Sequence, residues 1–284
     1  MDVDIIAHKT IHDVCIHEAV IRLLRIPKEV LEWDDERRER FVQELKDGKV
    51  RVHRARIIIV GCAGAGKTTL VERLKHPNND EMPTTTTTVG LDVHRNVFHV
   101  DDGRLISMEN TTSITVSSRE EKMITLMDFA GQSAYYACHQ VFLTKRAIYV
   151  LVSDMSKCMD DKVSQLECDT KGTVFADWKH GDYIRFWLQS IRTYCGENMP
   201  VVLVATHKDK NTSNENFFDE ILHSLPEEQN LKKHISTQRY FEIGATPEDK
   251  EKIFDIQKLL LHLLSPENGE QQYSHWGEFI PSFC

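Results

Sequence analysis

A glycine-rich loop is the part of the sequence best suited to bind a phosphate chain. Residues 61–68 read Gly-Cys-Ala-Gly-Ala-Gly-Lys-Thr, and they lie between an apolar run at 56–60 and a segment of helical character at 69–74. In this setting, backbone N–H groups and the positive end of the helix dipole converge on a polyphosphate. Lys67 can reach the β- and γ-phosphates, and the Thr68 hydroxyl can ligate Mg²⁺. The residues predicted to contact phosphate are Gly61, Ala63, Gly64, Ala65, Gly66, Lys67, Thr68 and Thr69.

A second group of candidate residues follows a short apolar strand at 123–127, which ends at the sequence Asp-Phe-Ala-Gly-Gln of residues 128–132. The Asp128 carboxylate at a strand end can support Mg²⁺, and Gly131 can offer its N–H to a γ-phosphate. Gln132 then lies where it can orient a water molecule. The alternative interpretation is an ordinary turn after a strand. The position of these residues, about sixty residues after a phosphate loop, favours a role in nucleotide binding and hydrolysis.

A third motif bears on the base. A buried apolar strand at 201–205 is followed by Thr-His-Lys-Asp at 206–209. The Asp209 carboxylate can accept hydrogen bonds from both the N1–H and the exocyclic amine of guanine. Adenine lacks the N1–H, and an unpaired buried carboxylate costs about 1–3 kcal/mol or more. Asp209 therefore favours GTP over ATP, with Thr206 and His207 as neighbouring nucleotide contacts.

The stretch from Asp128 to Val152 resembles the Roc GTPase domain of Roco proteins. The Thr-His-x-Asp form at 206–209 is similar to that family, in place of the Asn-Lys-x-Asp of small GTPases, and so is the Thr-Val-Gly-Leu-Asp-Val of 88–93. The resemblance covers roughly residues 48–265. It implies that Thr88 is the switch threonine that closes on Mg²⁺ and the γ-phosphate. The predicted catalytic residues are Lys67, Thr88 and Gln132, and the predicted metal residues are Thr68, Thr88 and Asp128.

Two further segments match less fully. Residues 242–246 resemble the last guanine loop of such domains, in which Ala245 would offer its N–H to the base oxygen. Residues 275–282 resemble the beginning of the COR domain that follows Roc in Roco proteins. A homodimer is expected if a COR domain follows.

The elements along the chain alternate between strand and helix. They predict an α/β fold with a small-GTPase-like, mostly parallel sheet and helices on both faces, preceded by a short helical extension. The expected domains are 1–48 (helical extension), 49–266 (Roc-like GTPase) and 267–284 (COR-like segment). Residues 93–100 and 105–108 are expected to form a hairpin and 109–121 an exposed insert. The polar segment 156–179 is predicted to be a surface excursion before a helix that buries Trp187.

The composition of the chain indicates which kinds of partner and which cellular compartment are expected. A formal charge of −9 and a pI near 5.9 argue against a nucleic-acid groove or an anionic membrane surface. Seven scattered cysteines are typical of reduced thiols in the cytoplasm, and the aliphatic runs are shorter than the roughly 20 residues of a transmembrane helix. His12, Cys15 and His17 cannot all aim at one ion from one helix, which disfavours a metal there.

These observations predict an Mg²⁺-dependent, slowly hydrolysing GTP switch, with effector or regulator proteins that recognise the GTP or GDP state. The Ala63 methyl beside the γ-phosphate is expected to slow hydrolysis. Two alternatives stay open. One is a nucleotide-binding scaffold with negligible hydrolysis, which is favoured by Ala63, Thr206 and His207. The other is an ATP-binding regulator of the wider phosphate-loop class, which Asp209 disfavours.

Overall fold

The computed structural model describes residues 34, 36, 49–79, 81–101, 104–108, 122–132, 135–164, 173, 175–197, 199–210, 216–226, 231–235, 237–246, 249–264, 276 and 278–281. The chain divides into two compact units, one of residues 51–278 and one of residues 1–50 with 279–284. Of the predicted N-terminal extension only residues 34 and 36 are described, and residue 36 is helical. His12, Cys15, His17, the insert at 109–121 and most of 267–284 lie outside the described residues.

Strands and helices alternate along the described part of the chain, as the sequence pattern predicts. The strands are β1 (Lys49–Gly61), β2 (Leu91–Asp101), β3 (Arg104–Ser107), β4 (Lys122–Phe129), β5 (Ile148–Asp154), β6 (Val201–Thr206), β7 (Tyr240–Glu242) and β8 (Glu278–Pro281). The α-helices are α1 (Lys67–Lys75), α2 (Tyr136–His139), α3 (His180–Cys195), α4 (Phe217–Ser224) and α5 (Lys250–Leu264). Short 3₁₀ turns lie at Gln140–Phe142, Lys208–Lys210, Leu231–His234 and Thr237–Arg239.

The sheet runs in the order β3-β2-β4-β1-β5-β6-β7. Strands β4, β1, β5, β6 and β7 are mutually parallel, whereas β2 is antiparallel to β3 and β4. The prediction of a mostly parallel sheet is therefore confirmed. Register brings the carboxyl ends of the parallel strands to one edge, with Ile59 beside Asp128, Gly61 beside Val152 and Asp154 beside Thr206. This edge carries the loops on which the candidate site residues lie.

Both faces of the sheet are buried, which explains why the parallel strands are apolar throughout rather than alternating. Along β1, Ile58 and Val60 belong to the core layer that contains α3, while Ile57 and Ile59 belong to the layer that contains α1 and α5. Trp187 of α3 has no exposed surface, as predicted. The two layers hold the phosphate loop between α1 and the strand ends.

The long connection before α3 lies at the surface, as predicted, but it carries apolar residues that the prediction did not include. In its described part, Met159 and Val163 are buried, and Phe175 and Trp178 pack against the same core layer as α3. The Trp178 ring lies 5.1 Å from the Tyr183 ring, centroid to centroid. These apolar residues are scattered among polar ones at no regular spacing, so hydrophobic periodicity does not detect them. In the described part of the connection, these apolar residues hold an otherwise exposed segment against the core layer of α3.

Helix α3 is the longest described helix, with 16 residues. None of the helices in the described ranges has both the length and the apolarity needed to cross a membrane. The four cysteines that the structure describes, Cys62, Cys138, Cys158 and Cys195, are thiols.

Candidate functional site

The loop between β1 and α1 adopts a backbone that favours glycine at three positions. Gly61, Gly64 and Gly66 have φ angles of +147°, +73° and +82°, which other residues rarely adopt. At Gly61 a Cβ would also lie 2.1 Å from the Val152 carbonyl oxygen on β5. Gly61 and Ala65, with Ala63 and Gly64, line a cavity on the side of the loop that faces β5 and α3. Of these four residues, Ala63 and Gly64 also border the larger cavity on the other side of the loop.

This larger cavity has a volume of about 230 Å³. Its lining comprises Ala63, Gly64, Gly66, Lys67, Thr68, Thr69, Thr85, Thr86, Thr87, Thr88, Gly131 and His207. Lys67 is only 6 % exposed, and its Nζ donates a hydrogen bond of 2.7 Å to the Cys62 carbonyl. A positive charge is thus held at the loop, where backbone N–H groups and the N-terminus of α1 also favour an anion.

Three oxygen-bearing side chains converge beside this cavity. Thr68 and Thr88 donate hydrogen bonds of 2.6 and 3.0 Å to Oδ2 of Asp128, and their own hydroxyl oxygens lie 2.8 Å apart. Asp128 is fully buried, and its Oδ1 has no hydrogen-bond partner among the described residues. Burial raises the pKa of the Asp128 carboxyl, while hydrogen bonds from both threonines and the Lys67 charge oppose the rise. Two hydroxyls and an under-bonded carboxylate are a donor set that suits Mg²⁺.

Gly131 lies directly against the phosphate loop. A Cβ at this position would lie 2.3 Å from the Ala63 nitrogen and 2.4 Å from the Ala63 Cα, so only glycine fits. The Tyr136 hydroxyl donates a 3.0 Å hydrogen bond to the Gly131 carbonyl and fixes this contact from α2. Gln132 follows, and its side-chain oxygen is buried without a hydrogen-bond partner in the described part of the chain. Gln132 does not itself line the cavity, but it directly follows Gly131, which does, and its side-chain oxygen is left with hydrogen-bonding capacity.

The expected base-binding loops border a second cavity of about 150 Å³, which shares Gly66, Thr69 and His207 with the first. Its lining comprises Gly66, Thr69, Leu70, Arg73, Met82, Thr206, His207, Asp209, Lys210, Ile243, Gly244 and Ala245. The exposed Asp209 carboxylate accepts a 2.9 Å hydrogen bond from the Ala245 N–H. The two predicted readers of the base are therefore neighbours at one end of a continuous cleft.

Thr206 and His207 connect the base end of the cleft to the phosphate loop. The buried Thr206 hydroxyl donates to the Ala65 carbonyl at 2.8 Å. His207 has a φ angle of +58°, and its Nδ1 lies 3.3 Å from Oδ1 of Asp154. Burial alone would raise the pKa of the Asp154 carboxyl, but hydrogen bonds from His207 and Ser156 outweigh it and lower that pKa to about 2. Asp154 is thus ionised and anchors the loop that carries His207.

The structure also brings to the site residues that sequence reasoning missed. Arg73 of α1 lines the base cavity, and Tyr136 of α2 holds Gly131. His139, also on α2, is buried and makes a 2.9 Å hydrogen bond through Nε2 to the Gly90 carbonyl, just after Thr88. None of the three belongs to a sequence motif with a chemical signature. Their roles depend on contacts between segments that are distant along the chain.

His139 is expected to make stability depend on pH. Burial lowers the pKa of this imidazole, and the hydrogen bond to Gly90 offsets the shift only in part. Below about pH 6.5, His139 is then protonated in the unfolded chain but stays neutral in the folded chain. The free energy of unfolding therefore falls as pH falls, by at most about 1.4 kcal/mol per pH unit. His139→Gln, which does not titrate, should have a flatter pH dependence in urea unfolding between pH 7.5 and 5.5.

The exposed His223, whose Nδ1 lies 2.7 Å from the Asp219 carbonyl, is a matched control. His223→Gln shows the effect of the same substitution at an exposed position, and at pH 7.5 it should change the free energy of unfolding little. Identical slopes for wild type and His139→Gln would contradict the assignment of a neutral, buried His139.

Fold and site together define the class of protein. A parallel sheet presents a phosphate loop, a Thr-Thr-Asp oxygen cluster and a base-side carboxylate along one edge, as in phosphate-loop GTPase domains of the small-GTPase type. Residues 56–209 match the family model described as "Ras of Complex, Roc, domain of DAPkinase". The match covers more than half of the chain, and the chain belongs to the Roc family.

Relatives include two proteins of Dictyostelium discoideum. "Probable serine/threonine-protein kinase pats1" is 26 % identical over 171 residues, which make up 60 % of this chain and 5 % of that protein. "Probable serine/threonine-protein kinase roco5" is 31 % identical over 119 residues, 42 % of this chain and 3 % of that protein. The chain thus spans a small part of the length of these relatives.

Among solved structures, a similar one is the RocCORdC structure of Methanosarcina barkeri Roco2 bound to GDP. It has a TM-score of 0.47 and 21 % identity, over 83 % of this chain and 54 % of that one.

Proposed function

We propose that this Roc domain binds GTP and GDP with Mg²⁺, hydrolyses GTP slowly and acts as a molecular switch in the cytoplasm. The observation that carries the proposal is the oxygen cluster of Thr68, Thr88 and Asp128 beside Lys67, with the buried Asp128 Oδ1 left unbonded among the described residues. An under-bonded buried carboxylate is costly unless a ligand completes it. Mg²⁺ with a nucleotide phosphate is the ligand that fits this donor set.

Each half of the cleft takes one part of the nucleotide in this proposal. The phosphates contact Ala63, Gly64, Gly66, Thr69 and the Lys67 ammonium, while Asp209 and Ala245 read the guanine edge. Thr206 acts indirectly, because its hydroxyl donates a hydrogen bond to the Ala65 carbonyl and so joins the end of β6 to the phosphate loop. Gly61 and Ala65 shape the loop from its far side. Thr68, Thr88 and Asp128 would hold Mg²⁺, which would supply positive charge to offset that of the phosphates.

Hydrolysis requires an in-line water and neutralised charge, with little covalent chemistry from the protein. Gln132 is the residue proposed to place the water, since its buried side-chain oxygen has no other described partner. Lys67 stabilises the charge that develops on the transferred group, and Thr88 closes on the γ-phosphate. Without an assigned arginine finger, turnover on the order of 10⁻⁴ to 10⁻² s⁻¹ is expected.

Gln132→Leu should separate hydrolysis from binding. Loss of the water-placing amide is expected to slow single-turnover phosphate release from bound GTP by at least about tenfold, while the Kd for GDP stays within about twofold of wild type. Gln140→Leu is the matched control, because Gln140 follows α2 and accepts a hydrogen bond from the Tyr194 hydroxyl instead. Equal phosphate release from wild type and Gln132→Leu would remove Gln132 from the mechanism.

A nucleotide-binding scaffold with negligible hydrolysis is the second candidate. Ala63 favours it, since this residue lines the proposed phosphate cavity and its methyl takes space that a glycine would leave to the nucleotide. Single-turnover release decides between the two functions. A GTP-loaded wild-type chain that releases phosphate no faster than a buffer blank would be a scaffold.

Partner binding by nucleotide state is part of the proposal. Val89, next to Thr88, is 75 % exposed, and Val141, just after α2, is 80 % exposed. Apolar side chains at the edge of both proposed switch segments support docking of effector or regulator proteins when GTP orders these segments. The proposal keeps 49–266 as the GTPase domain, 1–48 as an extension and 267–284 as a COR-like segment, with a homodimer if a COR domain follows.

A further inference from the structure

Arg73 links the helix of the phosphate loop to the loop at the base end of the cleft. It lies on α1, six residues beyond Lys67, and its Nη1 donates a 2.6 Å hydrogen bond to the Gly244 carbonyl. Burial lowers the pKa of the Arg73 guanidinium and the nearby Asp249 carboxylate opposes the change, yet an arginine remains protonated under all ordinary conditions. The bond to Gly244 is therefore a charge-assisted one in a half-buried setting.

Gly244 is held from its other side as well. Its N–H donates a 2.9 Å hydrogen bond to Oδ2 of Asp249, which also accepts one from the Thr246 hydroxyl at 2.8 Å. A Cβ at Gly244 would lie 2.9 Å from Oδ1 of Asp209, so the peptide passes close beside the proposed base reader. The carbonyl of Gly244 belongs to the peptide bond whose N–H is that of Ala245. Arg73 thus grips the same peptide group that presents its N–H to Asp209.

Arg73 also lies between two cavities. It borders the base cavity and a neighbouring cavity of about 150 Å³ lined by residues such as Glu72, His76 and Lys250. Met82 and Ala245 are the other residues that border both cavities. Truncating the guanidinium would remove this part of the boundary between the two cavities.

We propose that Arg73 is a positioning residue for guanine recognition, which fixes the Gly244–Ala245 peptide and, through the hydrogen bond from the Ala245 N–H, the Asp209 carboxylate that reads the base in the proposed function. The inference rests on the proposed guanine-nucleotide function. It assigns base selectivity in part to the same helix whose first turn carries Lys67 and Thr68. The positions of the phosphate and base halves of the site are thereby coupled through one rigid element.

The test is isothermal titration of GDP, and of ADP in competition with GDP, into wild type, Arg73→Met and Arg73→Lys. Arg73→Met should raise the Kd for GDP about tenfold and leave the Kd for ADP within about twofold, so that the GDP preference falls about tenfold. Arg73→Lys keeps a cationic donor and should restore part of the preference. Arg185→Met is the control, because Arg185 makes an equivalent 2.9 Å hydrogen bond to the Ser224 carbonyl, away from the cleft.

A purely structural Arg73 would behave like Arg185. Lower melting temperatures for both Met variants, with GDP preference unchanged from wild type, would overturn the inference. If Arg73→Met does not fold, Arg73→Lys decides alone: a GDP preference equal to wild type overturns the inference, and a reduced one supports it. If the wild-type chain itself fails to bind GDP, the proposed function is overturned. The results with the Arg73 variants bear only on the role of Arg73.

Discussion

Replacing Lys67 with methionine should abolish nucleotide binding, with the Kd for GDP and for GTP raised at least about 100-fold. Methionine keeps the length of the buried side chain but removes the charge and the hydrogen-bond donors. Each charge-assisted bond to phosphate contributes about 1.5–3 kcal/mol, so the loss of two such bonds gives an effect of this size. The bond from Lys67 to the Cys62 carbonyl is lost as well, which loosens the loop. Calorimetric titration of both nucleotides measures the effect.

Lys75→Met is the matched control, because Lys75 lies on the same helix, is also 6 % exposed and pairs with Glu72 at 3.0 Å. It should lose a little stability and keep its GDP affinity. Equal losses of affinity in the two variants would indicate damage to α1 rather than removal of a phosphate ligand. Retained affinity in Lys67→Met would mean that the loop binds no phosphate.

Gly131→Ala should leave GDP binding nearly intact and reduce GTP hydrolysis about 100-fold. The added methyl carbon would lie 2.3 Å from the Ala63 nitrogen, and the atoms it meets are backbone atoms that cannot rotate away. The segment of Gly131 and Gln132 must therefore move off the phosphate loop. In the proposed mechanism, the GTP complex depends on this segment to hold the γ-phosphate and the water, whereas the GDP complex does not. The loss of one aligned donor typically slows a reaction by about 10²–10³.

Single-turnover hydrolysis and GDP titration on the same preparation check this prediction. Gly181→Ala provides the comparison, since a Cβ there would lie 3.3 Å from the Met159 carbonyl oxygen and α3 accepts alanine readily. It should hydrolyse GTP as fast as wild type. Gly131→Ala with unchanged hydrolysis would show that the second switch segment tolerates displacement and has no part in the reaction.

The elements that carry the site follow from local sequence. The apolar run at 56–60 belongs to β1, the helix after the loop ends at Lys75 before Pro77, and β4 delivers Asp128 at the sheet edge. Such segments are predictable because period, length and helix-ending residues act within a few positions of each other. The convergence of Thr68, Thr88 and Asp128 was also expected, although only the resemblance to a known family singled out Thr88.

The supports of the site were not predictable in the same way. Arg73 reaches a carbonyl 171 positions further along the chain, and Thr206 reaches one 141 positions back. A hydrogen bond between a side chain and a distant backbone group depends on the packing of whole helices and strands, which leaves no trace in local spacing. The burial of Met159 and Val163 was not predicted for a related reason, since irregularly spaced apolar residues in a polar segment have no periodicity to detect.

Titration of GTP with Mg²⁺ into the folded chain, repeated with a large excess of ATP present, tests the central claim most directly. The arrangement of Lys67, the Asp128 cluster and Asp209 predicts a clear binding heat that ATP does not suppress, because Asp209 is proposed to accept hydrogen bonds from the N1–H and exocyclic amine of guanine, which adenine does not offer there. Absence of heat, or its loss on addition of ATP, would contradict a guanine-nucleotide site in this cleft.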